Sequence, residues 1–240
     1  STVMKGILTK ATAENAYQQI KKNHLPGGIM GSESDIEFYT KNGWWPHNAG
    51  INIEAAFQDW GAAQMAKKLN HIEDYEFFMK RSKSWKMCFE PDNKLLLPKK
   101  PNGEFAHKEP LNGSGFVEAN AWQATWGVSH DISGLSELMG GDEILINKLN
   151  YAFEQEVDNS FVHSYGSGHI SYANQPGCSN AHVFSYAKAP WLTQYWVRQV
   201  NEKAYGGITP DLGWGGHDED QGQMGGVSAL MSIGLFNIVG

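Results

Sequence analysis

The stretch Asn52-Ile-Glu-Ala-Ala-Phe57-Gln-Asp-Trp60-Gly-Ala-Ala-Gln-Met65-Ala-Lys-Lys-Leu69 decides the fold class. Its apolar residues fall at Ile53, Ala56, Phe57, Trp60, Ala63 and, within Ala66–Leu69, at Ala66 and Leu69, with Gln64 the polar exception. Steps of three and four put them on one stripe of an α-helix, whereas a strand would alternate. Asn52 is the expected N-cap, and Glu54 in the first turn suits the positive end of the helix dipole. The same period predicts a second helix over Ile72–Phe89, with Tyr75, Phe78, Met79, Ser82 and Trp85 on one face.

Working outward, helices are expected at Ala11–Lys22, Asn120–Val128, Ser133–Met139, Asp142–Gln155, Asn180–Ala187, Pro190–Tyr205 and Asp220–Leu235. Pro190 opens its segment, where a missing N–H costs least. Leu95-Leu-Leu97 reads as a short strand inside the longest connection, Glu90–Gly115. The segments Ser164–Gly177 and Gly206–His217 are Gly-rich and hold His, Asn and Asp; loops of this length are usually functional or disordered. Helix pairs joined by long loops at one end read as a mainly α helical barrel or toroid.

Composition narrows the function classes. The chain has 240 residues, enough for one large core, with 19 Lys+Arg against 26 Asp+Glu and a net charge of −7. The basic residues are scattered, which argues against a nucleic-acid partner. No apolar run reaches the roughly 18–20 residues of a membrane span. Hydrophobic residues at 41% against charged residues at 19% exclude a disordered chain. Cys88 and Cys178 define neither a disulfide framework nor a thiolate zinc site. The 9 Trp, 9 Tyr, 11 Phe and 27 Gly suit flat, hydroxyl-rich ligands such as sugars, and equally a large core linked by tight turns. The first residues carry no signal-peptide pattern, and the apolar segment Ala229–Gly240 reads as chain that continues into something longer.

Three constellations carry chemistry. In Gly115-Phe-Val-Glu118-Ala-Asn120-Ala-Trp122-Gln123-Ala-Thr-Trp126 a carboxylate precedes a helix among aromatic residues. Apolar cover would raise its pKa toward the range of a general acid; a Glu offsetting the helix dipole is the alternative. In Gly213-Trp214-Gly-Gly216-His217-Asp218-Glu219-Asp220-Gln221-Gly222-Gln223-Met224 three acids crowd before an apolar helix. Such charge suits a hard cation held by oxygen ligands, calcium rather than zinc, or else an acidic cap. In Ser171-Tyr-Ala-Asn174-Gln175-Pro176-Gly177 two side-chain amides flank a proline-fixed turn, as neutral oxygen ligands, sugar contacts or an ordinary Asx turn. His163, His169, His182 and Cys178 lack the spacing of a metal site and are expected to be structural or pocket-lining.

These motifs resemble a family. Glu118-Ala-Asn-Ala-Trp-Gln123, Tyr172-Ala-Asn-Gln-Pro176, Ala189-Pro-Trp-Leu-Thr-Gln194 with Trp196-Val-Arg198, and Asp218-Glu-Asp-Gln-Gly-Gln-Met224 look like successive signatures of the family 92 glycoside hydrolases, calcium-dependent exo-acting α-mannosidases. Asp59–Lys67 and Ser129–Gly141 fit in the same order, so the resemblance covers about Gly50 to Gly240.

The resemblance implies inverting hydrolysis of terminal α-mannosides on an (α/α)6 barrel, with long loops at the active-site end. Glu118 would be the general acid, and Asp218 and Asp220 the carboxylates that activate water. Asp59, Trp60, Trp122, Gln123 and Trp214 would contact the sugar. Asn174, Gln175 and Asp220 would contribute to the calcium shell. Six helix pairs exceed the nine helical segments found here, so residues 1–240 are expected to be one incomplete catalytic-barrel domain. The family's N-terminal β-sandwich is absent from it, and the remaining segments of the same enzyme are its expected partner. The isolated chain is then expected to be inactive. A non-catalytic carbohydrate-binding or scaffold fragment is the competing class.

Relatives commonly carry Gly-Asn-Glu-Pro followed by a His pair where this chain has Ala173-Asn174-Gln175-Pro176. Some members preferring α-1,2 linkages carry a His-Glu pair near Ser171-Tyr172, so the resemblance does not carry that preference over to this chain. Retention of Glu118 argues against a phosphodiester substrate. Family habit implies a periplasmic or extracellular location.

Overall fold

The structure, a computed structural model, describes residues 2–28, 33–207, 209 and 222–236. It is mainly helical and divides into two compact units. The first comprises Ser1–Cys88 with Pro98–Ala106, and the second Phe89–Leu97 with the chain from His107 onward.

In the first unit, α1 (Lys10–Asn23), α2 (Glu33–Asn42), α3 (Ala49–Leu69) and α4 (Ile72–Arg81) follow one another, and a 3-10 turn (Ser84–Cys88) ends the run. Helix α3 begins four residues before its expected start, because Asn48 rather than Asn52 supplies the cap: its Oδ1 accepts the Ile51 N–H at 2.8 Å. Asn52 is instead buried, and its Oδ1 accepts the Trp45 N–H at 2.7 Å. Asn70 ends α3 in the left-handed conformation, which lets α4 turn back as a tight helical hairpin. Alanines 55, 56, 62, 63 and 66 line the buried face of α3. Ala62 and Ala63 meet Phe78 of α4, with Ile20, Tyr75 and Met79 around them. The second helix stops at Arg81 rather than reaching Phe89, and its last part becomes the 3-10 turn. Helix α2 was not expected from the sequence. Its apolar residues are few, and among the described side chains only Ile36 and Tyr39 are buried, against Trp45 and Ala55.

In the second unit, β1 (Phe89–Glu90) pairs antiparallel with β2 (Leu95–Leu96), in the register Phe89↔Leu96 and Glu90↔Leu95. The strand expected at Leu95–Leu97 therefore exists, and all three leucines are buried. Helices α5 (Ala121–Ala124), α6 (Ile132–Met139), α7 (Asp142–Glu154), α8 (Val183–Tyr186), α9 (Pro190–Lys203) and α10 (Gln223–Ser232) follow. Helix α5 is a single turn continued by a 3-10 turn (Thr125–Gly127), shorter than the helix expected over Asn120–Val128. The backbone is anchored there by side chains: Thr125 Oγ1 accepts the N–H of Leu96 at 3.0 Å and donates to the Ala121 carbonyl at 2.6 Å. The core centres on Phe153, whose ring lies 5.1 Å from Trp196, 5.9 Å from Phe184 and 6.1 Å from Phe161. Trp196 brings its N–H with it and donates to Asn150 Oδ1 at 2.9 Å, so a buried polar edge is satisfied.

Candidate active site

Two of the sequence constellations meet in the second unit. Glu118 stands just ahead of α5 with φ of 52°, in the left-handed region that a non-glycine residue enters at a cost of roughly 1–2 kcal/mol. Asn120, two residues on, takes the cap, its Oδ1 accepting the Gln123 N–H at 3.2 Å. Glu118 is therefore free of the cap role and is exposed. The apolar cover expected over it is not supplied by Trp126, which is fully buried in the core.

Asn174 binds the carboxylate. Its Nδ2 donates to Glu118 Oε2 at 2.7 Å, while its Oδ1 accepts the N–H of Gln175 at 2.9 Å and starts the 3-10 turn Gln175–Gly177. The same amide thus forms a turn and holds a carboxylate. Among the described residues, no other group hydrogen-bonds Glu118. The turn needs a glycine at 177, because a Cβ there would lie 1.7 Å from the carbonyl oxygen of Ser171.

Behind Glu118 two carboxamides hold a glycine loop. Asn120 Nδ2 donates to the carbonyls of Gly166 (2.8 Å) and Gly168 (2.9 Å). Gln123 Nε2 donates to those of Ser167 (2.5 Å) and Gly168 (3.2 Å). A Cβ on Gly113 or on Gly166 would come within 3.2 or 3.3 Å of the Ala119 carbonyl, so backbone closes on backbone around the residue after Glu118. A small depression is lined by Glu118, Gln123, His163, Asn174 and Pro176.

One buried charge here was not singled out from the sequence. Glu156 is 2% exposed and accepts from His163 Nε2, the His169 N–H (2.6 Å), His169 Nδ1 (3.0 Å) and Asn159 Nδ2 (3.2 Å). Burial alone would raise its pKa, but the bonds from the His169 backbone, the two imidazoles and Asn159 outweigh it and leave the carboxyl below its usual range. Glu156 lies seven residues before His163 and thirteen before His169, and only the closed loop reveals the grouping.

Other expected site residues are placed apart from Glu118. Trp122 packs against His169 (5.1 Å) and Tyr151 (5.8 Å) beneath the Lys148 ammonium at 4.3 Å, lining a separate shallow depression with Lys94 and Ile144. Asp59, in the first unit, is fully buried and saturated. Arg81 contacts both its oxygens at 2.6 Å, Tyr39 OH donates at 2.8 Å and His24 Nδ1 lies at 3.0 Å. The carboxylate expected to face a sugar is instead the centre of an internal ion pair. Trp60 lies beside Phe57 at 6.1 Å. Trp214, Asp218 and Asp220 lie outside the described residues. His182 and Cys178 are buried.

Comparison with known proteins places the chain. The model of the glycosyl hydrolase family 92 catalytic domain matches residues 1–240. An uncharacterized secreted glycosidase of Arthroderma benhamiae is 21% identical over 223 residues, 82% of this chain and 27% of that protein. A family GH92 α-mannosidase from Bacteroides thetaiotaomicron superposes with a TM-score of 0.83 at 26% identity, over 99% of this chain and 31% of that one. A family GH92 inverting mannosidase from the same species gives a TM-score of 0.77 at 26% identity, over 95% and 33%. The chain thus spans about a third or less of the length of these relatives.

Proposed function

The chain belongs to the glycosyl hydrolase family 92 catalytic domain, and from that premise we propose that the protein carrying it hydrolyses terminal α-mannosidic linkages with inversion. The fold class is the mainly α, (α/α)6-barrel class of that domain. The observation that carries the reading is Glu118, exposed and fixed through one oxygen by Asn174. Its other oxygen is left to carry a proton to the glycosidic oxygen as the bond to the anomeric carbon breaks. Asp218 and Asp220 are the carboxylates proposed to take a proton from the water attacking the opposite face, which requires acid and base about 6.5–9.5 Å apart.

Calcium fits the described residues only in kind. Asn174 and Gln175 are neutral oxygen donors, yet the Asn174 oxygen already caps a turn. Among the described residues no group of three or more His, Cys, Asp or Glu is placed to hold a metal. Calcium asks for about 6–8 oxygens, so these residues alone make no cage. Asp220 would complete the calcium shell with Asn174 and Gln175.

The substrate class is α-mannoside glycans, and the activity is that of the longer protein, with a β-sandwich as the segment that completes the pocket. The 240-residue chain by itself is proposed to be an incomplete barrel without turnover. Export is inferred from the secreted relative. Among the described residues no helix is long and apolar enough to cross a membrane.

The test is Glu118→Gln in the complete polypeptide, assayed on α-mannosides of graded leaving-group acidity. Loss should be about 10²–10⁴-fold for poor leaving groups and small for activated aryl mannosides. An equal loss across the series would remove Glu118 from the acid role. Chelation should abolish turnover and added calcium restore it.

A further inference from the structure

The Glu156 cluster lies behind the depression that Glu118 lines, and the proposed chemistry does not use it. Both imidazoles must point an N–H at the carboxylate, because an ionised carboxylate only accepts. His163 therefore donates from Nε2 and His169 from Nδ1. The Oε1 atom of Glu156 also takes the backbone N–H of His169. These bonds fix both ends of the segment Ser164–Gly168. The carbonyls of Gly166, Ser167 and Gly168 in that segment are the ones that Asn120 and Gln123 grip. Ser171 continues the chain of contacts: its Oγ accepts the His163 N–H at 3.2 Å and the Ala173 N–H at 3.3 Å, immediately before Asn174.

One loop thus reaches Glu118 twice, at its foot through Asn120 and at its tip through Asn174. That matters because Glu118 occupies a left-handed backbone conformation, which persists only where the surroundings over-determine it. We propose that Glu156 is a positioning residue for Glu118: by holding His163 and His169 it fixes the loop whose carbonyls and whose Asn174 amide set the direction of the Glu118 carboxylate. The inference rests on the reading of Glu118 as the acid, but its structural half does not.

The experiment uses Glu156→Gln in the complete polypeptide. A carboxamide keeps the volume but has one acceptor oxygen, and its NH2 faces an imidazole N–H. Turnover of α-mannosides with poor leaving groups should fall by up to about 10²-fold, with KM nearly unchanged and activated aryl mannosides spared. Hydrogen exchange should show residues 118–123 and 164–169 losing protection together. Loss of protection in 164–169 alone, or turnover that is unchanged or reduced equally for all leaving groups, would overturn the proposal. If Glu118→Gln shows no leaving-group dependence, the acid assignment fails, and the exchange result still decides whether Glu156 fixes residues 118–123. Should Glu156→Gln fail to fold, as judged by circular dichroism, His163→Asn removes one imidazole donor and leaves the bonds to His169. It should give the same pattern at smaller amplitude, and its absence would also overturn the proposal.

Discussion

The side-chain amide of Asn174 donates a 2.7 Å hydrogen bond to the carboxylate of Glu118, joining two motifs 56 residues apart. The same residue starts the turn that carries Gln175 and Pro176. The contact couples the local geometry of one loop to the direction of the proposed proton donor.

Replacing Asn174 with Ala removes the contact and the cap together. Stability should fall by about 1 kcal/mol. Turnover of α-mannosides with poor leaving groups should fall more than that of activated ones. Denaturant titration and steady-state kinetics on the same preparation check both halves.

Asp59→Asn separates two roles for Asp59. In the structure its carboxylate neutralises buried Arg81, so the variant should lose about 3–5 kcal/mol of stability. A variant with native stability and a raised KM would instead return Asp59 to the sugar.

Burial depresses His182 from its ordinary value to about 4, outweighing the opposing backbone of Ser179. The unfolded chain therefore binds a proton between pH 6.5 and 4 that the folded chain refuses, so stability drops as the pH falls through that window. The loss is about 3 kcal/mol from this group, complete near pH 4. His182→Phe should flatten the window, read from denaturant midpoints at successive pH values. Glu156 acts in a lower range. Its depressed pKa contributes stability above the ordinary carboxylate value, and this is lost as the pH falls below it.

Gly177 is required for space rather than for an unusual φ. A methyl group there meets the Ser171 carbonyl at 1.7 Å, and that neighbour is backbone. Gly177→Ala should cost about 3 kcal/mol, the upper end of ordinary overpacking. A thermal midpoint equal to that of the parent would show that the two segments part easily.

The helices legible in the sequence are those whose apolar stripe faces a core, such as α3 and α7. A boundary moved where a side chain chose the cap, Asn48 in place of Asn52. Helix α2 was not legible because its buried pair Ile36 and Tyr39 leaves little periodic signal. The meeting of the Glu118 and Asn174 motifs was implied by family resemblance alone, since no spacing rule joins residues so far apart. The Glu156 cluster left no pattern at all, because its donors are arranged by loop closure. The Arg81 partner of Asp59 was not legible for a related reason: a carboxylate beside a Trp looks alike in sequence whether it faces ligand or an arginine 22 residues away.

The division into two units has a consequence for how the chain is made and cut. Residues 98–106 belong to the first unit, while 89–97 before them belong to the second. No single peptide-bond cleavage can separate the units into two whole pieces. During synthesis the first unit cannot be completed until residue 106 has been added, by which time the residues of the β1–β2 hairpin of the second have already been joined to the chain. Neither unit is a contiguous module that could be transferred to another protein by joining sequences end to end.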